Sequence, residues 1–156
     1  MITIVPAKPE DVKALADLLE ETDRFYGGTE FEPVEKRIAQ ISTMVFREQP
    51  AAHVLLAKDG DRAVGYAAYS FLWPAADLTQ SLYLKELYVS EVDRRSGVGK
   101  LLMDELVKIA KETGCGRVEW TADRDNPLAV AFYERHGYLV NEGKMLYRLT
   151  VSSTGV

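Results

Sequence analysis

RRSGVGK, Arg94 to Lys100, stands between a strand-like run and a long amphipathic helix. Two glycines, two arginines and a lysine crowd into one short turn. Before it lies QSLYLKELYVS (Gln80–Ser90), a strand-like run with Leu82, Leu84, Leu87 and Val89 as its expected buried positions. After it, SGVGKLLMDELVKIAKETG (Ser96–Gly114) puts Val98, Leu101, Leu102, Leu106, Ile109 and Ala110 on one helical stripe. A strand that feeds a helix through glycines presents the helix's first backbone N–H groups and the positive end of its dipole. Glycine lets that backbone approach a ligand closely, and Arg94, Arg95 and Lys100 add charge-assisted hydrogen bonds. The turn reads as a pyrophosphate cradle. Two nucleotide motifs fail on it. The G-x-x-x-x-G-K-S/T loop needs glycine at Arg94 and a hydroxyl at Leu101. The G-x-G-x-x-G fingerprint fits Gly97 and Gly99 but needs glycine at Leu102.

Around the turn, 156 residues suit one domain over 1–150 with a loose tail at 151–156. ITIVPA opens as a strand, and KPEDVKALADLLEET is a helix that stops near Asp23. A second amphipathic helix starts around Val34 and carries Ile38, Ile41 and Val45. A hairpin follows, His53–Lys58 and Ala63–Trp73 around Asp59-Gly60-Asp61, with Tyr69, Phe71 and Trp73 expected in the core. RVEWTA is a short strand. Asn126 caps a helix begun by Pro127 and ended at Gly137, and YLVNEGKMLYRLTV is expected as a closing hairpin. The order predicts an α/β fold, a mixed and mostly antiparallel sheet with helices on both faces.

Composition excludes several classes. A net charge of −5 argues against nucleic-acid binding and suits a cationic partner. No run approaches the roughly 20 apolar residues of a membrane span, and the N-terminus has no secretory pattern. A single cysteine, Cys115, cannot form an intramolecular disulfide, and no His, Cys or carboxylate spacing suggests a metal. These features predict a cytoplasmic protein without a metal. His53 and His136 are isolated and read as surface or packing.

A third motif, R/Q-x-x-G-x-G/A, is met at every fixed position by Arg94, Gly97 and Gly99. Here the chain resembles the GCN5-related N-acetyltransferase (GNAT) family, whose members use that motif for the pyrophosphate of acetyl-CoA. The preceding Leu87, Tyr88 and Val89 and the later segment NPLAVAFYERHGY, with Asn126, Ala129, Phe132, Tyr133 and Gly137 in register, extend the resemblance over nearly the whole chain. It implies the GNAT fold, acetyl-CoA as co-substrate, and a donor site formed by Leu87, Tyr88, Val89, Arg94, Arg95, Ser96, Gly97, Val98, Gly99, Lys100, Asn126, Ala129, Phe132 and Tyr133.

Acetyl transfer to an amine imposes its own demands. An ammonium near pKa 10.4 must lose a proton before it attacks a thioester. The oxyanion wants a fixed N–H donor, which the resemblance places on the strand near Leu87 or Tyr88. The leaving thiolate wants a proton, for which the resemblance offers Tyr133; core packing beside Phe132 is the competing reading. Glu86 is the candidate base or amine ligand, although Lys85 stands where diamine-acetylating relatives carry a first acid. The segment EETDRFYGGTEFEPVE (Glu20–Glu35) holds six acids and one cation, Arg24, so Asp23, Tyr26 and Glu30, with Glu86, are the expected acceptor contacts. The central region, GYAAYSFLWPAADLTQSLYLKELYV, is similar to the spermidine/spermine (diamine) N-acetyltransferase branch, which implies a small-amine acceptor and a homodimer. Peptide or protein acetylation, and an acyl-CoA-binding sensor that does no chemistry, are the alternatives.

Overall fold

A computed structural model describes residues 1–152 of the chain; the expected tail therefore lies, from residue 153 on, outside the described residues. The chain forms two compact units, Met1–Thr121 and the part from Ala122 onward.

The first unit is a five-stranded sheet in chain order: β1 (Ile2–Pro6), β2 (His53–Asp59), β3 (Arg62–Leu72), β4 (Gln80–Val89) and β5 (Cys115–Trp120). The first three pairings are antiparallel and β4–β5 is parallel. The β2–β3 turn is as tight as expected, with Gly60 at φ +63°. Helix α1 (Val12–Phe25) and helix α2 (Val34–Met44) cover one face. Leu15, Leu18 and Ile41 pack there with Val54, Leu56, Tyr66 and Tyr88 from the strands. Helix α3 (Val98–Glu112) packs on the sheet through the buried Val98, Leu102, Met103, Leu106 and Ala110, and the alternating strand residues Leu55, Ala67 and Leu84 complete the second core. Met103 thus replaces Leu101 on the expected stripe; Leu101 is exposed.

Two irregularities place the site. Ala68 pairs with Glu86 while Tyr69 pairs with Leu84, so Lys85 is an extra residue in β4. This bulge breaks the alternation. It leaves Leu84, Leu87 and Val89 on the α3 face and swings Glu86 and Tyr88 to the α1–α2 face, where Tyr88 packs with Tyr66. The second irregularity is length: β5 pairs only with Gln80–Leu84, and β4 runs on from Lys85 to Val89 beyond it. Gly65 makes this geometry attainable. A Cβ there would sit 2.7 Å from the Tyr88 carbonyl oxygen, so only glycine admits β4 so closely. Trp73 corrects the expected core list: it lies past the end of β3 and is largely exposed.

The second unit holds helix α4 (Pro127–Arg135), begun as expected by Asn126, whose Oδ1 accepts from the Ala129 N–H at 3.3 Å. The closing hairpin expected over Tyr138–Val151 does not form: among the described residues that stretch carries no strand, and its apolar Leu139, Met145, Tyr147 and Leu149 are exposed. Alternation of apolar and polar residues marks β-propensity, but a strand exists only where a partner satisfies its backbone. No described helix is long and apolar enough to cross a membrane.

Candidate functional site

The RRSGVGK turn has the backbone expected of a cradle. Arg95 takes a positive φ of 68° and Gly97 one of 85°, which turns the chain so that Gly97 becomes the N-cap of α3. No side chain caps that end, so the first-turn N–H groups of α3 are presented without a competing side-chain acceptor. The Ser96 hydroxyl donates to the Asp93 carbonyl and ties down the loop. Asp93 also accepts a two-point contact from Arg62, 2.9 Å on each oxygen, which clamps the turn to the start of β3. That contact holds the Asp93 carboxyl below its usual range.

The two other basic groups behave differently. Lys100 pairs with Asp104 one helical turn on. Arg94 turns back: its Nε donates to the Val89 carbonyl at 3.0 Å, and its guanidinium lies over Phe25 at 4.6 Å and Tyr88 at 5.4 Å. Arg94 thus fastens the end of β4 to the end of α1. Ser90 adds a second fastening, donating to Glu21 at 2.7 Å. Burial pushes the Tyr88 phenol up, with Glu21 adding to the shift.

On the other side of Phe25 lies the expected acceptor region. Tyr26 ends α1, half exposed, edge-on to Phe25 with centroids 5.1 Å apart. The segment is less acidic than its sequence promised, because it draws cations from α2. Arg37 reaches Asp23 at 3.3 Å and Lys36 reaches Glu32 at 2.9 Å, while Arg24 pairs with Glu20 and covers the Phe31 ring. Glu30 is exposed in the connecting loop. Beneath the segment Tyr66 is fully buried, its hydroxyl 3.0 Å from that of Thr22. Burial raises its phenol strongly, and the negative charges of Glu86 and Asp23 raise it further. Asp23 and Glu86 therefore act on one hydroxyl: the bulge has brought the strand acid and the helix-end acid to the same face.

In the second unit Tyr133 is half-buried in an aromatic group, edge-on to Phe132 at 5.3 Å and to Tyr138 at 6.2 Å. Phe132 in turn meets His136 at 4.8 Å, so His136 packs, and His53 likewise stacks on Tyr69 at 5.3 Å. Asn126 and Ala129 form the cap of the same helix.

The residues missed from the sequence are Arg37, Thr22, Tyr66 and the Arg62–Asp93 contact. Arg37 had a readable signal. It sits at helical spacing from Val34 and Ile41, so it is a charge on the apolar stripe of α2. The others had none, because each depends on a partner far away in sequence.

The chain is similar to known proteins along most of its length. Residues 13–138 match the acetyltransferase (GNAT) family. The chain is 26% identical over 155 residues to a thialysine N-epsilon-acetyltransferase of Caenorhabditis elegans, covering 94% of this chain and 90% of that protein. It is 36% identical over 86 residues to the L-ornithine N5-acetyltransferase NATA1 of Arabidopsis thaliana, a match that covers 55% of this chain and 38% of that protein. An integron cassette protein from the mobile metagenome of V. cholerae superimposes with a TM-score of 0.89 at 31% identity, over 96% of this chain and 93% of that one.

Proposed function

Because the chain belongs to the acetyltransferase (GNAT) family, we propose that it transfers acetyl from acetyl-CoA to a primary amine of a small cationic acceptor by direct attack in a ternary complex. The observation that carries this reading is the uncapped, glycine-turned start of α3 at the end of a strand that outruns its neighbour. Such a helix start suits a pyrophosphate, and the edge of β4 at Leu87–Val89 suits an extended amide chain and an oxyanion. Gly97, Val98, Gly99 and Arg95 hold the phosphates in this reading. Arg94 supports the strand they follow, through Val89.

Glu86 faces the acceptor side, where it accepts the amine's proton directly or through water. Tyr133 donates to the leaving thiolate. Two relatives act on amines borne by amino acids, thialysine and L-ornithine by their names, which favours small amines, polyamines or amino acids, over peptides. Two copies of the chain are expected to pair, as in the diamine branch.

Tyr133→Phe tests the chemistry. It should lower the rate about a hundredfold or more while CoA affinity stays unchanged. A variant that transfers as fast as the parent removes Tyr133 from the mechanism, and a parent without transfer leaves only a binding module.

A further inference from the structure

We propose that the pocket between α1 and α2 binds the α-amino-acid head group of the acceptor, with Arg37 taking its carboxylate and Asp23 its α-ammonium. The proposal rests on the acetyltransferase reading and narrows the acceptor to an amino acid that carries a second amine on its side chain.

The pocket measures about 180 Å³ and is lined by Leu19, Asp23, Arg37, Gln40 and Ile41. Its composition is that of a zwitterion site: one cation, one anion and an amide, against an aliphatic wall. Arg37 is the unusual member. Its place on the apolar stripe of α2 carries it inward, to 13% side-chain exposure. A guanidinium so buried needs its donors satisfied. Arg37 is poorly served. Both terminal nitrogens reach the same atom, Asp23 Oδ2, each at 3.3 Å, instead of two oxygens in a parallel fork. Its Nε is buried with no partner at all.

A carboxylate supplies what is missing. It offers two oxygens in one plane, so a turn of the guanidinium about its own stem engages Nε and one terminal nitrogen together. The two long contacts to Asp23 are weak enough to give up. Asp23, released in part, then faces a cation, which the α-ammonium provides. The same aspartate acts on the Tyr66 hydroxyl along with Glu86. Glu86 stands opposite Ala68, which packs on the core that α1 and α2 form, so an amino acid anchored at Asp23 and Arg37 lies on the sheet face that carries the strand acid.

The test compares each amino acid with its own decarboxylated form: L-ornithine against putrescine, and L-lysine against cadaverine, with acetyl-CoA saturating. The wild type should prefer the amino acid of each pair. Arg37→Gln should raise the KM for ornithine and lysine about tenfold to a hundredfold and leave both diamines nearly unchanged. Equal loss on amino acids and diamines would overturn the proposal, as would a wild type that prefers the diamines. If Arg37→Gln does not fold, the methyl esters of ornithine and lysine ask the same question of the wild type. Esters turned over as well as the free acids would sink the carboxylate contact. Turnover of diamines, or of some other small amine, without the two amino acids sinks only the anchor, whereas failure on these four and on every other small amine would sink the acetyltransferase reading itself.

Discussion

The Arg94–Lys100 turn and the Glu20–Gln40 region both gather charge on the first unit, yet they are built in opposite ways. The turn is made by backbone: positive φ at Arg95 and Gly97, an uncapped helix start, and a strand that outruns its neighbour. Its charged side chains turn to neighbouring structure, Arg94 to the Val89 carbonyl and Lys100 to Asp104, while Arg62 holds Asp93 just before the turn. The α1–α2 region is made by side chains: Arg37 reaches Asp23, Tyr26 stands edge-on to Phe25, and Thr22 meets the buried Tyr66. A backbone site should tolerate most side-chain changes and fail at its glycines. A side-chain site should change its selectivity by single substitutions while the donor stays bound.

The largest effect is expected where both regions share a support. In Gly65→Ala the new Cβ would meet the Tyr88 carbonyl oxygen, so β4 must shift. A loss of about 1–3 kcal/mol in stability is expected by thermal or urea unfolding, together with weaker use of both donor and amine. An effect on one substrate alone would separate β4 from one of the two regions. Next comes Gly97→Ala, which forces an alanine into the left-handed region at about 1–2 kcal/mol. CoA should bind about tenfold more weakly by calorimetry, with the amine KM unmoved. A matching rise in the amine KM would end the division between the regions.

The smallest effect concerns the anchor of α1. Asp11 accepts from Lys58 at 2.8 Å and from the Lys8 N–H at 2.8 Å, and the Lys58 contact holds its carboxyl below the ordinary range. The folded chain therefore binds that proton less readily than the unfolded chain. The stabilisation is present above about pH 4 and is lost as acid titrates the folded carboxyl. Asp11→Asn should cost about 1 kcal/mol near neutral pH, and the gap from wild type should close toward pH 3. A gap that stays constant across that range would show that Lys58 contributes no charge.

The same division explains what the sequence made legible. Strands, helices, the Gly60 turn and the Asn126 cap were readable, because hydrophobic period and turn chemistry act over a few residues. The Arg94–Lys100 turn was readable for the same reason, since its geometry is written in local glycines. The Lys85 bulge was not. Its single extra residue reverses the face of Glu86 relative to Leu84 and shows only in pairing with β3. Nor were the ion pairs of the acidic segment, whose cations come from the next helix. The closing hairpin misled in the other direction, because alternation in KMLYRLTV records propensity and not a partner.

Transfer of acetyl from acetyl-CoA to a small amine is the proposed activity. Free CoA thiol released by the purified chain, measured across polyamines, lysine and ornithine, aminoglycosides and a lysine-containing peptide, tests it most directly. Amine-dependent thiol release is expected, with stoichiometric N-acetylated product from at least one small amine and little from the peptide. Release that no small amine accelerates, with CoA still bound tightly, would contradict it.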